Sequence, residues 1–170
     1  MARATRSATD GPAGTTALEA SVPASVGVAR ATAVLGPERA GWVGEAVDGE
    51  KAPLGVDRFL LDLELRVSER APRISFRKAA YVDVGSLDAT IPGQVILPIS
   101  WRAAGLQPLF PVFAGTLRWR DGVLSLDGYY APPGGGVGIV ADRLLLNVAA
   151  RGTARWLLER IASAMRGEAL

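Results

Sequence analysis

Residues 58–67 read RFLLDLELRV, and large apolar side chains occupy every second position of this segment: Phe59, Leu61, Leu63, Leu65 and Val67. Most of the positions between them are charged. Because successive side chains of a strand point to opposite faces, the alternation predicts a strand with one buried and one solvated face. This pattern is typical of an antiparallel sheet that is covered on one side only.

The chain beyond this segment repeats the strand pattern four times. Strands are predicted over residues 74–84, 94–102, 112–119 and 123–130. The dipeptide Asp121-Gly122 between the last two is a strong signal for a two-residue hairpin turn. The other connections are short, so we expect consecutive strands to be neighbours in an antiparallel meander.

After residue 130 the period of the apolar residues changes from two to that of a helix. The residues that share the predicted helical stripe are Leu146, Ala150, Ala154, Leu157, Ile161 and Met165. A helix over residues 138–165 would be about 40 Å long, since each residue adds about 1.5 Å. An amphipathic helix of this length is expected to lie across the apolar face of the meander.

The N-terminal part of the chain gives weaker signals. Residues 1–24 are mainly Ala, Thr, Ser, Gly and Pro, which predicts a disordered tail because little apolar surface is available for burial. A first strand is predicted from Val26 to the Gly36-Pro37 break, followed by a short helical segment over residues 37–47. The expected architecture is α+β: residues 25–166 form one domain in which a curved antiparallel sheet of about six strands grips a long C-terminal helix.

Composition excludes several classes of function. The chain has 170 residues, with no Cys and no His, which excludes disulfides, Cys/His zinc sites and mechanisms that need an imidazole. The formal net charge is only +2 and the arginines are dispersed along the chain, so we expect no nucleic-acid partner. The apolar runs are too short for a membrane span, and no apolar signal segment begins the chain, which favours a cytoplasmic protein.

The second half of the sequence resembles a known superfamily. Residues 97–119, LPISWRAAGLQPLFPVFAGTLRW, and 124–162, beginning LSLDGYYAPPGGG, look like the C-terminal half of actinobacterial proteins of the SRPBCC superfamily. This superfamily includes START domains and polyketide cyclases and has the helix-grip fold. The resemblance covers roughly residues 94–162 and implies a pocket for a hydrophobic ligand, but it supplies no catalytic motif. The pair of helices that usually follows the first strand is reduced here to the short predicted segment.

Nine residues are candidates for lining such a pocket between sheet and helix: Phe76, Lys78, Trp101, Arg102, Phe113, Leu117, Tyr129, Asn147 and Leu157. Arg102 or Arg118 at the pocket mouth would orient an acidic group of the ligand. Lys78 alternates with apolar residues, which predicts that its ammonium group points towards the core.

No cofactor and no metal site is expected. Residues 136–141, GVGIVA, satisfy a dinucleotide-binding pattern, but no βαβ unit follows, so a hinge between sheet and helix is the better interpretation.

Three functions remain open at this point. The sequence favours a non-catalytic binding or carrier domain for a small hydrophobic or amphipathic ligand, lipid-like or polyketide-like. The alternatives are an enzyme of the polyketide cyclase or dehydratase type, which is less favoured because no acid–base pair stands out, and a structural or interaction domain with a filled core.

Overall fold

The computed structural model describes residues 14–47, 55–66, 75–105, 112–131 and 140–168. Its elements in chain order are β1 (Thr16–Pro23), α1 (Val28–Leu35), α2 (Ala40–Val43), β2 (Glu45–Ala46), β3 (Asp57–Arg66), β4 (Ser75–Val84), β5 (Gln94–Ala103), β6 (Val112–Arg120), β7 (Val123–Ala131) and α3 (Val140–Arg166).

The strands form one curved antiparallel sheet in the order β1-β7-β6-β5-β4-β3-β2. Strands β3 to β7 follow one another as the predicted meander, and α3 is the predicted long helix. Asp121 and Gly122 form the β6–β7 turn with φ values of 51° and 77°, and Arg120 pairs with Val123 across it. The expected α+β class is confirmed, with seven strands in the described part of the chain instead of about six.

The prediction of a disordered tail over residues 1–24 is wrong for its last third. Strand β1 pairs antiparallel with β7 along its whole length, from Thr16 opposite Tyr130 to Pro23 opposite Val123. Only two of its side chains, Leu18 and Val22, are buried against the core. An edge strand needs few large apolar residues, and the composition of the segment therefore concealed it. Residues 1–13 lie outside the described part of the chain.

The prediction of a strand from Val26 to Gly36 is also wrong, because residues 28–35 form helix α1. Its buried residues Ala31, Val34 and Leu35 lie three and four positions apart, so they share one helical face. The segment 37–47, predicted as one helix, contains a turn, α2 and β2. The first strand is consequently β1, and two short helices follow it instead of one reduced helical segment.

The core lies between α3 and one face of the sheet, which we call the inner face. The inner-face side chains of the four strands β4 to β7 that are buried are Ala80, Val82, Val84, Val95, Leu97, Ile99, Trp101, Phe113, Leu117, Trp119, Leu124, Leu126 and Tyr130. From α3, the buried side chains include Ala150, Ala154, Leu157, Leu158 and Ile161. Among the described residues of α3, the buried set also includes the hydroxyl side chain of Thr153.

Helix α3 is fixed at its C-terminal end by two arginines. Arg30 of α1 donates from Nε to the carbonyl oxygen of Met165 (3.1 Å) and from Nη2 to that of Ala164 (2.9 Å). Arg160 donates from Nε to the carbonyl oxygen of Trp42 in α2 (2.9 Å). The guanidinium group of Arg30 satisfies two carbonyl groups that the last turn of α3 leaves free, and its positive charge interacts favourably with the negative end of the helix dipole. The two short helices thereby hold α3 in place over the sheet.

We expect deletion of residues 1–23 to lower the thermal stability strongly. The deletion removes the ladder between β1 and β7 and the burial of Leu18 and Val22, each worth about 1.5 to 3 kcal/mol. Thermal unfolding followed by circular dichroism measures the loss, with deletion of residues 1–13 as the matched control. Equal melting temperatures for the two truncated proteins would contradict the contribution of β1.

Leu157→Ala is expected to lower the free energy of unfolding by about 2 to 5 kcal/mol, since Leu157 is fully buried on α3. Arg155→Ala on the same helix is the control, because Arg155 is 71% exposed and its ion pair with Glu159 lies at the surface. Urea denaturation of both variants gives the comparison. A midpoint for Leu157→Ala equal to that of the control would show that this stripe of α3 does not face the core.

Candidate functional site

Helix α3 crosses the sheet and contacts strands that lie near its two edges. Its backbone lies close to β1 and β7 on one side and to β3 on the other, whereas the backbones of the middle strands β4, β5 and β6 lie farther from it. On the β3 side, the Thr153 hydroxyl donates to the carbonyl oxygen of Glu64 (3.3 Å). Among the described residues, side chains of α3 and of these strands occupy the region between the helix and the middle of the curved sheet. This region is the candidate site.

A pair of stacked aromatic rings lies in this region. Trp101 of β5 and Phe113 of β6 are directly opposite each other in the ladder. Their ring centroids are 4.1 Å apart and the ring planes are inclined by 21°. Both residues are buried, with exposures of 2% and 0%. The stack is a rigid apolar surface on the inner face.

Two glycines give the Phe113 ring its position. Gly115 of β6 and Gly128 of β7 are opposite each other in the ladder. A Cβ atom added at Gly115 would come within 2.6 Å of Phe113 Cζ, and one added at Gly128 would come within 2.8 Å of the same atom. The ring edge therefore lies against the sheet backbone at a place where no other residue type fits.

The indole N–H of Trp101 is buried and has no hydrogen-bond partner among the described residues. The two other buried tryptophans differ: Trp42 Nε1 donates to the carbonyl oxygen of Val34 (2.9 Å), and Trp119 Nε1 donates to that of Ala24 (3.1 Å). An unpaired buried donor costs about 1 to 3 kcal/mol, and tryptophan N–H groups usually find a partner when buried. Trp101 is thus the polar feature of an otherwise apolar region.

Four of the nine sequence candidates are buried between sheet and helix. Trp101, Phe113 and Leu117 lie on the inner face of β5 and β6, and Leu157 faces them from α3. Two further candidates, Phe76 and Asn147, have side chains outside the described part of the structure.

The remaining three candidates do not lie in this region. Arg102 alternates with the buried Trp101 and is exposed on the other side of the sheet, which we call the outer face. Tyr129 likewise lies on the outer face and Tyr130 on the inner face, because the buried residues of β7 are the even-numbered ones. Lys78 has the inward parity of Ala80, but it is exposed near the start of β4, so its charge stays in solvent. Arg118, between Leu117 and Trp119, also belongs to the outer face.

The outer-face arginines take part in a surface cluster. Arg58 binds Asp83 in a bidentate ion pair, with Nε–Oδ1 and Nη2–Oδ2 distances of 2.6 and 2.8 Å. The ring of Tyr81 lies beneath the guanidinium groups of Arg58 and Arg102, at 5.6 and 4.7 Å from the ring centroid. These contacts tie β3, β4 and β5 together on the outer face. They do not contribute a charge to the candidate site.

The described residues contain no group of three or more acidic side chains that could hold a metal ion. None of the helices in the described ranges has the length and apolar character that a membrane crossing requires. The segment 136–141 that satisfies the dinucleotide pattern lies largely outside the described residues.

Comparisons with known proteins give one similar structure. No protein-family model and no curated protein matches the sequence. Among solved structures, the chain is similar to DynU16, a protein of the dynemicin biosynthetic locus, with 19% sequence identity and a TM-score of 0.40. The match covers 93% of this chain and 49% of DynU16, so this chain spans about half of the length of that protein.

We expect Gly115→Ala to destabilise the protein by about 1 to 3 kcal/mol, as overpacking does. The added methyl group would collide with Phe113 and with the backbone of β7. Gly41→Ala is the control, because Gly41 lies exposed in α2 with no atom within 4 Å of an added Cβ, and alanine favours helix. Chemical denaturation of both variants measures the difference; equal stability would mean that Phe113 does not rest on the glycine pair.

Proposed function

We propose that this protein binds a small hydrophobic or amphipathic molecule between the middle strands of the sheet and α3, and releases it unaltered. The observation that carries the proposal is the buried Trp101 N–H, which lacks a partner among the described residues in a region that the helix backbone does not approach closely. A binding site of this type is mainly apolar and contains a few polar groups that orient the ligand.

The arrangement of the large side chains supports the same interpretation. The Phe113 ring lies against Gly115 and Gly128, and Trp101 stacks on that ring. Because glycine has no Cβ atom, the aromatic pair lies directly against the backbone of the sheet. The resemblance of residues 94–162 to the SRPBCC superfamily agrees with a ligand site in this place. Lys78, whose ammonium group was expected to point towards the core, is exposed, and no observation on the described residues favours catalysis.

Binding of a neutral apolar dye tests the proposal. N-phenyl-1-naphthylamine should bind with a Kd of roughly 1 μM, equivalent to about −8 kcal/mol, with a rise in fluorescence that saturates at one dye per chain. Leu117→Trp should weaken this binding at least tenfold, because Leu117 is fully buried on the inner face and the larger ring would occupy the site.

Ala114→Trp is the matched control, since Ala114 lies exposed on the outer face of the same strand. The control should keep the dye affinity of the unmodified protein. Circular dichroism verifies that both variants fold. If the folded, unmodified protein shows no saturable binding of the dye, the interpretation as a structural domain with a filled core replaces the proposal.

A further inference from the structure

We infer that the part of the ligand that reaches Trp101 is an uncharged hydrogen-bond acceptor, such as a ketone or ester carbonyl, and not a carboxylate. The inference rests on the proposed function and specifies the chemistry of that same site.

The buried and unpaired hydrogen-bonding group at the site is a donor. The indole N–H of Trp101 can only donate, and it is buried without a partner among the described residues. A ligand that offers an acceptor atom satisfies this group, whereas a pure hydrocarbon leaves it unpaired at the cost of a buried polar group. The ligand therefore gains affinity from an oxygen atom at this position.

The charge distribution decides between a neutral and an anionic acceptor. Arg102 and Arg118, which the sequence suggested for an acidic head group, lie on the outer face. Lys78 has the inward parity, but it is exposed and lies four residues along β4 from Val82, the ladder partner of Trp101. At about 3.3 Å per residue, the Cα atoms of Lys78 and Val82 are roughly 13 Å apart, and the exposed ammonium group of Lys78 keeps its charge in solvent.

A buried carboxylate without a cation is strongly disfavoured. The described core residues around Trp101 are uncharged, and Phe113 covers one face of the indole. A carbonyl group needs only one donor, which the Trp101 indole provides. The described residues thus complement a neutral acceptor on an apolar molecule.

Three naphthalene derivatives of nearly equal shape form the test: 2-acetylnaphthalene has a carbonyl oxygen, 2-isopropenylnaphthalene replaces it with a methylene group, and 2-naphthoate carries a carboxylate. Their dissociation constants are measured by fluorescence titration with the unmodified protein and with Trp101→Phe. In the unmodified protein, the naphthoate should bind at least tenfold more weakly than the ketone. The preference for the ketone over the isopropenyl compound should fall about tenfold in Trp101→Phe, the effect of one lost hydrogen bond.

Nuclear magnetic resonance of the indole N–H groups gives a second measurement that does not depend on the folding of a variant. In the unmodified protein, the ketone should move the Trp101 indole proton downfield, whereas the isopropenyl compound should not. Trp42 and Trp119 serve as internal controls, because their N–H groups already donate to backbone carbonyls.

The outcomes separate this inference from the proposed function. Binding of all three compounds with equal affinity, or an unmoved Trp101 resonance with bound ketone, overturns the neutral-acceptor inference and leaves the binding function intact. Tighter binding of the naphthoate than of the ketone overturns it as well. If none of the three compounds binds to the folded protein, the proposed function itself fails.

Discussion

The bridging of a curved sheet by a straight helix is the constraint on which the rest of this structure depends. Helix α3 contacts β1 and β7 on one side and β3 on the other, so the middle strands curve away from its axis. Arg30 and Arg160 fix the C-terminal end of the helix to the two short helices. Both sides and one end of α3 are therefore fixed. The side chains of β4, β5 and β6 determine how the region between the helix and the middle of the sheet is filled.

The glycine pair shows how the aromatic rings are placed in this region. Gly115 and Gly128 face each other at the centre of the β6–β7 ladder, where two side chains would normally project towards the helix. Their place is taken by the edge of the Phe113 ring, and Trp101 covers that ring in turn. In the proposed function, this flat aromatic layer is the surface that the guest molecule contacts.

Sequence periodicity predicted the strands β3 to β7 and the helix α3, because each contains a long and regular apolar pattern. It failed for β1, whose two buried residues Leu18 and Val22 are separated by small ones, and for α1, whose eight residues are too few to distinguish the two periods. Which candidate residues lie on the inner face was predicted in part, for a related reason. Leu124 and Leu126 fix the parity of β7, and this signal assigns Tyr130, not Tyr129, to the inner face. The same parity argument on β5 separates Trp101 from Arg102.

The alternation of side chains along the strands also places the charged groups and the candidate site on opposite faces of the sheet. The outer face carries the bidentate pair of Arg58 and Asp83, whose side chains are only 8% and 17% exposed, beside the ring of Tyr81. In an ion pair with little solvent contact, each partner compensates for the hydration that the other has lost. Moving the two strands apart would leave both charges without compensation, so the pair restricts their arrangement. The buried side chains of the inner face are uncharged among the described residues, and they include the unpaired indole N–H of Trp101. Because each strand residue faces only one side, the arginines that stabilise the outer face cannot act on a guest at Trp101. In the proposed binding function, recognition at Trp101 depends on shape and on the hydrogen bond that the indole donates, which favours a neutral and mostly apolar molecule.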